Sequence, residues 1–138
     1  MHPHVRVLLG HPDDTHADLI VRPGWRTHPG NDERHVTVHA PRWHPPNGPD
    51  RALVLAYREA VAVANERQAR VVALPAILAR GAWPLDELTR IALTVLLSTP
   101  MTAHEVLIVA STPAMVERWA EALVAEVSPG GMPPPKPR

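Results

Sequence analysis

Apolar residues along this chain follow two spacings, one typical of strands and one typical of helices. Unbroken apolar runs and one alternating, β-branched segment predict strands, which fall at 5–10, 17–21, 35–40, 71–77 and 106–110. Pro23 and Gly24 are predicted to stop the second strand, because both residue types interrupt strands. The segment 22–34 has no periodicity and is predicted to be a loop.

Helical spacing of apolar residues begins after residue 50. It predicts three amphipathic helices, whose apolar stripes are Leu53-Ala56-Tyr57-Ala60-Val61-Ala64, Leu88-Ile91-Ala92-Val95-Leu96 and Val116-Trp119-Ala120-Leu123-Val127. Asp50 is predicted to cap the first helix, and Asp86 with Glu87 favours the start of the second. Ser111-Thr112-Pro113 opens the third, because proline commonly follows a helix cap.

Buried strands that alternate with amphipathic helices predict an α/β fold. Continuous apolar strands are typical of a largely parallel sheet that is covered on both faces. In such sheets, ligands bind beyond the carboxyl ends of the strands. The segments that follow Gly10, Val21, Ile77 and Ala110 are therefore the places where a site is expected.

Length and composition narrow the domain organisation. The 138 residues suit one domain, predicted to span 1–128. The proline-rich segment 129–138 is predicted to be a disordered tail. The chain has no cysteine, which excludes disulfides and thiol nucleophiles.

Charge and hydropathy limit the classes of binding partner that are expected. Lys+Arg and Asp+Glu both number 14, so the chain lacks the basic field expected of a nucleic-acid-binding protein. No apolar run approaches the roughly 20 residues of a membrane span. The expectation is a cytoplasmic domain that binds neither nucleic acid nor membrane.

Several segments resemble the macro domain. His39-Ala40-Pro41-Arg42-Trp43 is similar to the end of one strand of that family, and Leu55 to Ala60 is similar to the start of its central helix. Val72-Ala73-Leu74-Pro75-Ala76-Ile77 resembles its apolar-Ala-Phe-Pro-Ala-Ile strand, and Asp18-Leu19-Ile20-Val21 its Asp-Ala-Ile-Val strand. The resemblance implies a three-layer α/β/α fold around a central mixed, largely parallel sheet, and the binding of ADP-ribose or a related nucleotide.

The loops depart from the family pattern. After Ile20-Val21, family members with hydrolase activity continue with Asn-Ala-Ala-Asn and a glycine run, whereas this chain has Arg22-Pro23-Gly24-Trp25. The family loop that wraps a diphosphate is here the segment 78–83, which is one residue shorter and has one glycine instead of two. Glycine matters there because phosphate must approach bare amides. No catalytic residue and no hydrolase activity are therefore predicted.

The predicted ligand site combines the loop after the first strand, the segment 76–83 and the end of the last strand. Its residues are Asp13, Asp14, Ala76, Ile77, Leu78, Ala79, Arg80, Gly81, Ala82, Trp83 and Ser111. The resemblance implies that Asp13 or Asp14 accepts a hydrogen bond from an adenine amino group; the alternative is an Asp-rich turn that caps itself. Arg80 could add a cation for phosphate, Trp83 could stack on a base or close the core, and Ser111 could contact a ligand or cap a helix.

Other interpretations stay open. His11-Pro12-Asp13-Asp14 also resembles the zinc site of LmbE-like N-deacetylases, where His39 or His44 could supply a further ligand. His35 and His39 lie four apart on a predicted strand, about 13 Å, too far to share one ion. No metal and no cofactor are predicted. The favoured function is a module that binds a nucleotide weakly or not at all, and the alternative is a scaffold for a protein partner or for homo-oligomerisation.

Overall fold

A five-stranded sheet forms the centre of the fold in the computed structural model, which describes residues 3–24, 34–39, 50–77 and 84–127. The strands are β1 (His4–Leu9), β2 (Leu19–Gly24), β3 (His35–His39), β4 (Val71–Pro75) and β5 (Glu105–Ala110). The helices are α1 (Asp50–Glu66), α2 (Leu85–Ser98) and α3 (Pro113–Val127). The strand order is β1-β5-β4-β2-β3, and every pairing is parallel within the described ranges. The predicted α/β fold with a largely parallel sheet is confirmed.

All three helices pack on one face of the sheet. Because side chains alternate between the two faces of a strand, alternate residues of β4 and β5 point toward the helices. These residues form one buried cluster with apolar residues of all three helices; it includes Val72, Leu74, Val106, Ile108, Leu53, Leu88 and Trp119. The hydrophobic core of the domain therefore lies between this face and the helical layer.

The opposite face is crossed by the connection between β1 and β2. Ala17 from this connection packs against Ile20, Ala73, Leu107 and Val109, all of them buried. The connection contains a single 3-10 turn, Pro12–Asp14. The resemblance to the macro domain implies a third layer on this face of the sheet. In the described part of the chain, residues 10–18 form that layer.

The prediction that Pro23 and Gly24 stop the second strand was wrong. β2 continues to Gly24, paired with β3 in the register Pro23↔Val38 and Gly24↔His39. The amide of Ile20 donates to the carbonyl of Arg34 beside β3, so by alternation residue 23 faces β4. β4 pairs with β2 only at Leu19 and Ile20. The missing proline N–H therefore costs no ladder bond, and the strand continues.

Two strand boundaries each differ by two residues from the predicted ones. β4 ends at Pro75 rather than at Ile77, and β2 begins at Leu19 rather than at Ala17. The side chain of Asp50, the loop 40–49 and the tail 129–138 lie outside the described residues, so their predicted roles stay predictions.

Asp18 joins the start of β2 to the start of β4. Its carboxylate accepts hydrogen bonds from the backbone N–H of Val71 (2.7 Å) and of Arg70 (3.1 Å), and its own amide donates to the carbonyl of Val71 (3.0 Å). One side chain therefore orders the entry of two neighbouring strands.

Replacing Asp18 with alanine tests this role. Asp18→Ala removes an ionised acceptor of two amides, so we expect the free energy of unfolding to fall by about 1–3 kcal/mol in a urea titration. The control is Asp14→Ala, because the exposed Asp14 carboxylate makes no hydrogen bond in the described part of the chain. It should change the free energy of unfolding by less than about 0.5 kcal/mol. Equal effects of the two substitutions would contradict the role of Asp18.

Candidate functional site

A cavity of about 270 Å³ lies at the carboxyl ends of β1, β4 and β5. Three segments and the first turn of α3 line it with Gly10, His11, Pro12, Pro75, Ala76, Ile77, Val109, Ser111 and Met115. This is the end of the sheet where parallel α/β proteins bind ligands. A wider groove of about 370 Å³ lies between α2 and α3, but its cation, Arg118, already pairs with Asp86 (Nη2···Oδ1 3.2 Å).

Three main-chain amides at the ends of neighbouring strands have no partner among the described residues. The last ladder bonds run from the amide of Gly10 to the carbonyl of Ala110 (2.8 Å) and from the amide of Ala76 to the carbonyl of Val109 (3.0 Å). Beyond them, the amides of His11, Ile77 and Ser111 donate no hydrogen bond within the ranges that the structure describes. Free amides of residues that line one cavity can serve an anion.

Gly10 is where β1 gives way to the loop over the cavity. Its φ of +145° lies in a region that residues with a side chain rarely adopt, although a Cβ there would meet no atom within 4 Å. The backbone angle, rather than crowding, therefore accounts for glycine at this position.

Trp119 holds the end of β4 against α3. Its indole Nε1 donates to the carbonyl of Ala76 (3.1 Å), and the tryptophan is fully buried. Since the Ala76 amide is bonded to Val109, both polar groups of Ala76 are occupied. Ala76 therefore has no free donor to offer a ligand, while Ile77 is the first residue of this segment whose amide has no partner among the described residues.

Thr112, rather than Ser111, caps α3. Its Oγ1 accepts a hydrogen bond from the amide of Met115 (3.2 Å), three residues on, as an N-cap does. The suggestion that Ser111 is the cap was therefore wrong, because Pro113 directly follows Thr112 and is the first residue of the helix. Ser111 is exposed and keeps its hydroxyl for the cavity that it lines.

Asp13 and Asp14 do not line the cavity. The Asp13 carboxylate lies against the His35 imidazole at the start of β3 (Oδ1···Nε2 3.0 Å). His11 Nδ1 accepts a hydrogen bond from the Asp13 amide (3.1 Å), so this nitrogen carries no proton and its 3.7 Å contact with Asp13 Oδ2 is not an ion pair. In the structure, the Asp13 carboxylate contacts β3 through His35. The contact of Asp13 or Asp14 with an adenine amino group stays a prediction.

Arg22 is a candidate that the sequence did not select. Its Nε is buried and has no hydrogen-bond partner in the described part of the chain. Its positive charge contributes to lowering the pKa of Asp13, so the guanidinium lies toward the connection between β1 and β2. Its signal was hidden because Pro23 and Gly24 made this segment resemble a loop. A buried Nε without a partner makes Arg22 a candidate donor for a ligand.

Several residues of the predicted site lie outside the part of the chain that the structure describes. Leu78, Ala79, Arg80, Gly81, Ala82 and Trp83 are outside the described ranges, as are Trp25 and His44. Within those ranges, no group of three histidine or acidic residues is arranged to hold a metal ion. None of the described helices combines the length and the apolarity needed to cross a bilayer.

Comparison with known proteins identifies the fold. No protein-family model and no curated protein matches this sequence. The macro domain of ganglioside-induced differentiation-associated protein 2 superposes with a TM-score of 0.73 at 16% identity, covering 88% of this chain and 83% of that one. A mutant macrodomain of Oceanobacillus iheyensis, solved with ADPR, gives 0.70 at 14% identity over 88% and 92% of the two chains.

A third solved structure agrees with these two. The macrodomain of Trypanosoma brucei in complex with ADP gives a TM-score of 0.66 at 14% identity and covers 87% of this chain and 69% of that one. The chain therefore has the macro-domain fold, and the fold that the resemblance implied is confirmed.

Trp119→Phe tests the link between α3 and β4. The substitution keeps a buried aromatic ring but leaves the Ala76 carbonyl without its donor, so we expect a loss of about 1–3 kcal/mol in the free energy of unfolding. Amide exchange of Ala76, whose N–H is bonded to Val109, should accelerate more than that of the buried Val106 of β5. Uniform acceleration would contradict a local role of the indole N–H.

The Asp13–His35 contact predicts a pH dependence. The hydrogen bond from His35, the largest cause, lowers the pKa of Asp13 below its ordinary value, against a smaller opposite effect of burial. The contact therefore stabilises the protein above the unfolded-state pKa near 3.9, and this stability is lost as the pH falls through the folded-state value. The Asp13 side chain is 46% exposed. Solvent screening therefore limits the effect to less than about 1 kcal/mol.

NMR titration of the Asp13 carboxyl measures this effect. In His35→Leu the titration midpoint should rise toward the ordinary aspartate value. The control is His16→Leu, because His16 bonds Glu105 (3.2 Å) instead, and it should leave the Asp13 midpoint unchanged. An Asp13 midpoint that is the same with and without His35 would show that the contact does not form.

Proposed function

We propose that this domain binds an ADP-ribose-like nucleotide in the cavity at the ends of β1, β4 and β5, and that it does not hydrolyse ADP-ribosyl bonds. The observation that carries the proposal is the set of free amides of His11, Ile77 and Ser111 around one cavity. The structures solved with ADPR and with ADP share the fold, which supports the same ligand class here.

The size of the cavity suggests which part of the ligand it holds. Its volume of about 270 Å³ lies just below the roughly 300–1,000 Å³ typical of small-molecule pockets. A volume of this size suits one end of a nucleotide. The apolar side chains of Pro12, Ile77 and Met115 suit a ring, and the free amides suit phosphate oxygens.

The diphosphate also needs positive charge. Arg22 is the first candidate, because its buried Nε has no hydrogen-bond partner within the described residues. Arg80 of the predicted loop is the second candidate. A guanidinium suits phosphate oxygens because its donors lie in one plane.

Absence of hydrolysis follows from what stands after Val21. Where hydrolase members of the resembled family have Asn-Ala-Ala-Asn, this chain has Arg22-Pro23-Gly24, and these three residues are part of β2 and paired with β3. Residues held in a strand cannot form the loop that a hydrolase presents at this point. We therefore expect no release of ADP-ribose from a modified protein.

Isothermal titration calorimetry with ADP-ribose at neutral pH tests the proposal. We expect a dissociation constant in the micromolar range, which corresponds to a binding free energy of about −8 kcal/mol. Ser111→Phe should weaken binding at least tenfold because the ring fills the cavity that Ser111 lines. The matched control is Ala114→Phe, which adds the same ring at an exposed position of α3 outside this cavity and should leave affinity unchanged.

Each outcome bears on a separate part of the proposal. No heat with the unmodified protein up to millimolar ligand would overturn nucleotide binding. Equal loss in the Ser111 and Ala114 variants would place the ligand elsewhere, and measurable ADP-ribose release would overturn the absence of hydrolysis.

A further inference from the structure

β1 leaves one strand edge without a partner among the described residues. In that part of the chain β1 is the last strand on its side of the sheet and pairs only with β5. The amides of His4 and Gly10 donate to the β5 side, so by alternation the N–H and C=O groups of Val5, Val7 and Leu9 point outward. None of these three residues makes an outward hydrogen bond to another described residue.

The described part of the chain lacks the usual protection of such an edge. Natural edge strands carry charges, prolines or bulges that prevent pairing with another chain. Arg6 is the one arginine in β1, which has no acidic residue, and Glu105 of β5 already neutralises it (Nη1···Oε2 3.0 Å). Proline stands just before the strand, at Pro3, and none lies within it. The edge of this six-residue strand is therefore not interrupted by proline.

The end of the β1 edge carries an exposed apolar side chain. Leu9 is 59% exposed, and it is one of three large apolar side chains that are exposed in the described part of the chain. A partner strand that pairs with β1 would thus bury the Leu9 side chain as well as satisfy the strand edge.

We propose that two copies of this chain pair through β1, antiparallel and centred on Val7, to form one ten-stranded sheet. In this register Val7 lies opposite Val7 of the second copy, and Val5 lies opposite Leu9. The three outward-facing residues of each copy then exchange N–H···O bonds with those of the other copy. The exposed Leu9 of one copy packs beside Val5 of the other.

Neighbouring registers are less favourable for identifiable reasons. A register centred on Arg6 places two arginines opposite each other and sets Leu9 against Pro3, which has no N–H to donate. A register centred on Leu8 leaves Val5 without a partner. The register centred on Val7 places Arg6 opposite Leu8 and avoids both problems.

The strand centre can be blocked without disturbing the fold. Val7→Pro removes an N–H that points away from β5, so the β1–β5 ladder remains and dimer formation should be lost. Sedimentation velocity over a dilution series measures this: the unmodified protein should approach twice the mass of one chain at high concentration, and Val7→Pro should stay at one. Circular dichroism of Val7→Pro confirms that it is folded.

Disulfide cross-linking measures the register and does not depend on the proline variant. The chain has no cysteine, so single introduced cysteines report unambiguously. Val7→Cys should cross-link to its own copy, because opposed residues lie about 5.5 Å apart. Leu9→Cys alone should not, since its own copy lies four residues along the strand, about 13 Å away. The double variant Val5→Cys with Leu9→Cys should cross-link.

The outcomes separate this proposal from nucleotide binding. A monomer at all concentrations would overturn the dimer, whatever ADP-ribose does in the calorimeter. A dimer that survives Val7→Pro, or cross-linking of Leu9→Cys alone with none at Val7→Cys, would place the interface on another surface or in another register. Should Val7→Pro unfold, the cross-linking pattern alone decides.

Discussion

The hydrogen bond from the Trp119 indole to the Ala76 carbonyl fixes the site more than any other contact. It ties the first half of α3 to the end of β4, while the Ala76 amide ties the same residue to β5. The end of β4 is thereby held from two sides. Because the polar groups of Ala76 are used up internally, the next free donors are Ile77 and Ser111, and the space between them is the cavity. The site is a consequence of how α3 docks on the sheet.

The connection between β1 and β2 shows how residues of one segment can serve the fold instead of a ligand. Asp13 binds His35, and Arg34 donates to the carbonyls of Thr15 (2.7 Å) and Ala17 (3.1 Å). These contacts hold the connection over the face of the sheet that the helices leave open. They also draw the Asp13 carboxylate away from the cavity, so that at this end of the sheet the main chain, and not an acidic side chain, faces a ligand.

Elements that depend on local pattern could be predicted, and contacts that depend on distant partners could not. The apolar run ending at Ala110 and the stripe through Leu88 specify their strand and helix within a few residues, because burial of one face decides both. The place of Pro23 inside a strand could not be predicted, because its tolerance there depends on β3 and β4, which flank it in space and not in sequence. The orientation of Asp13 likewise depends on His35, 22 residues away. No local spacing encodes either one.

A site made of main-chain amides depends on the fold more than on the identity of its side chains. Identity to the macro domains that superpose on it is 14–16%, so few side chains of a pocket are shared. The amides of His11, Ile77 and Ser111 need only that β1, β4 and β5 end at the same level and that Trp119 holds their edge. Substitution of the side chains leaves these donors in place.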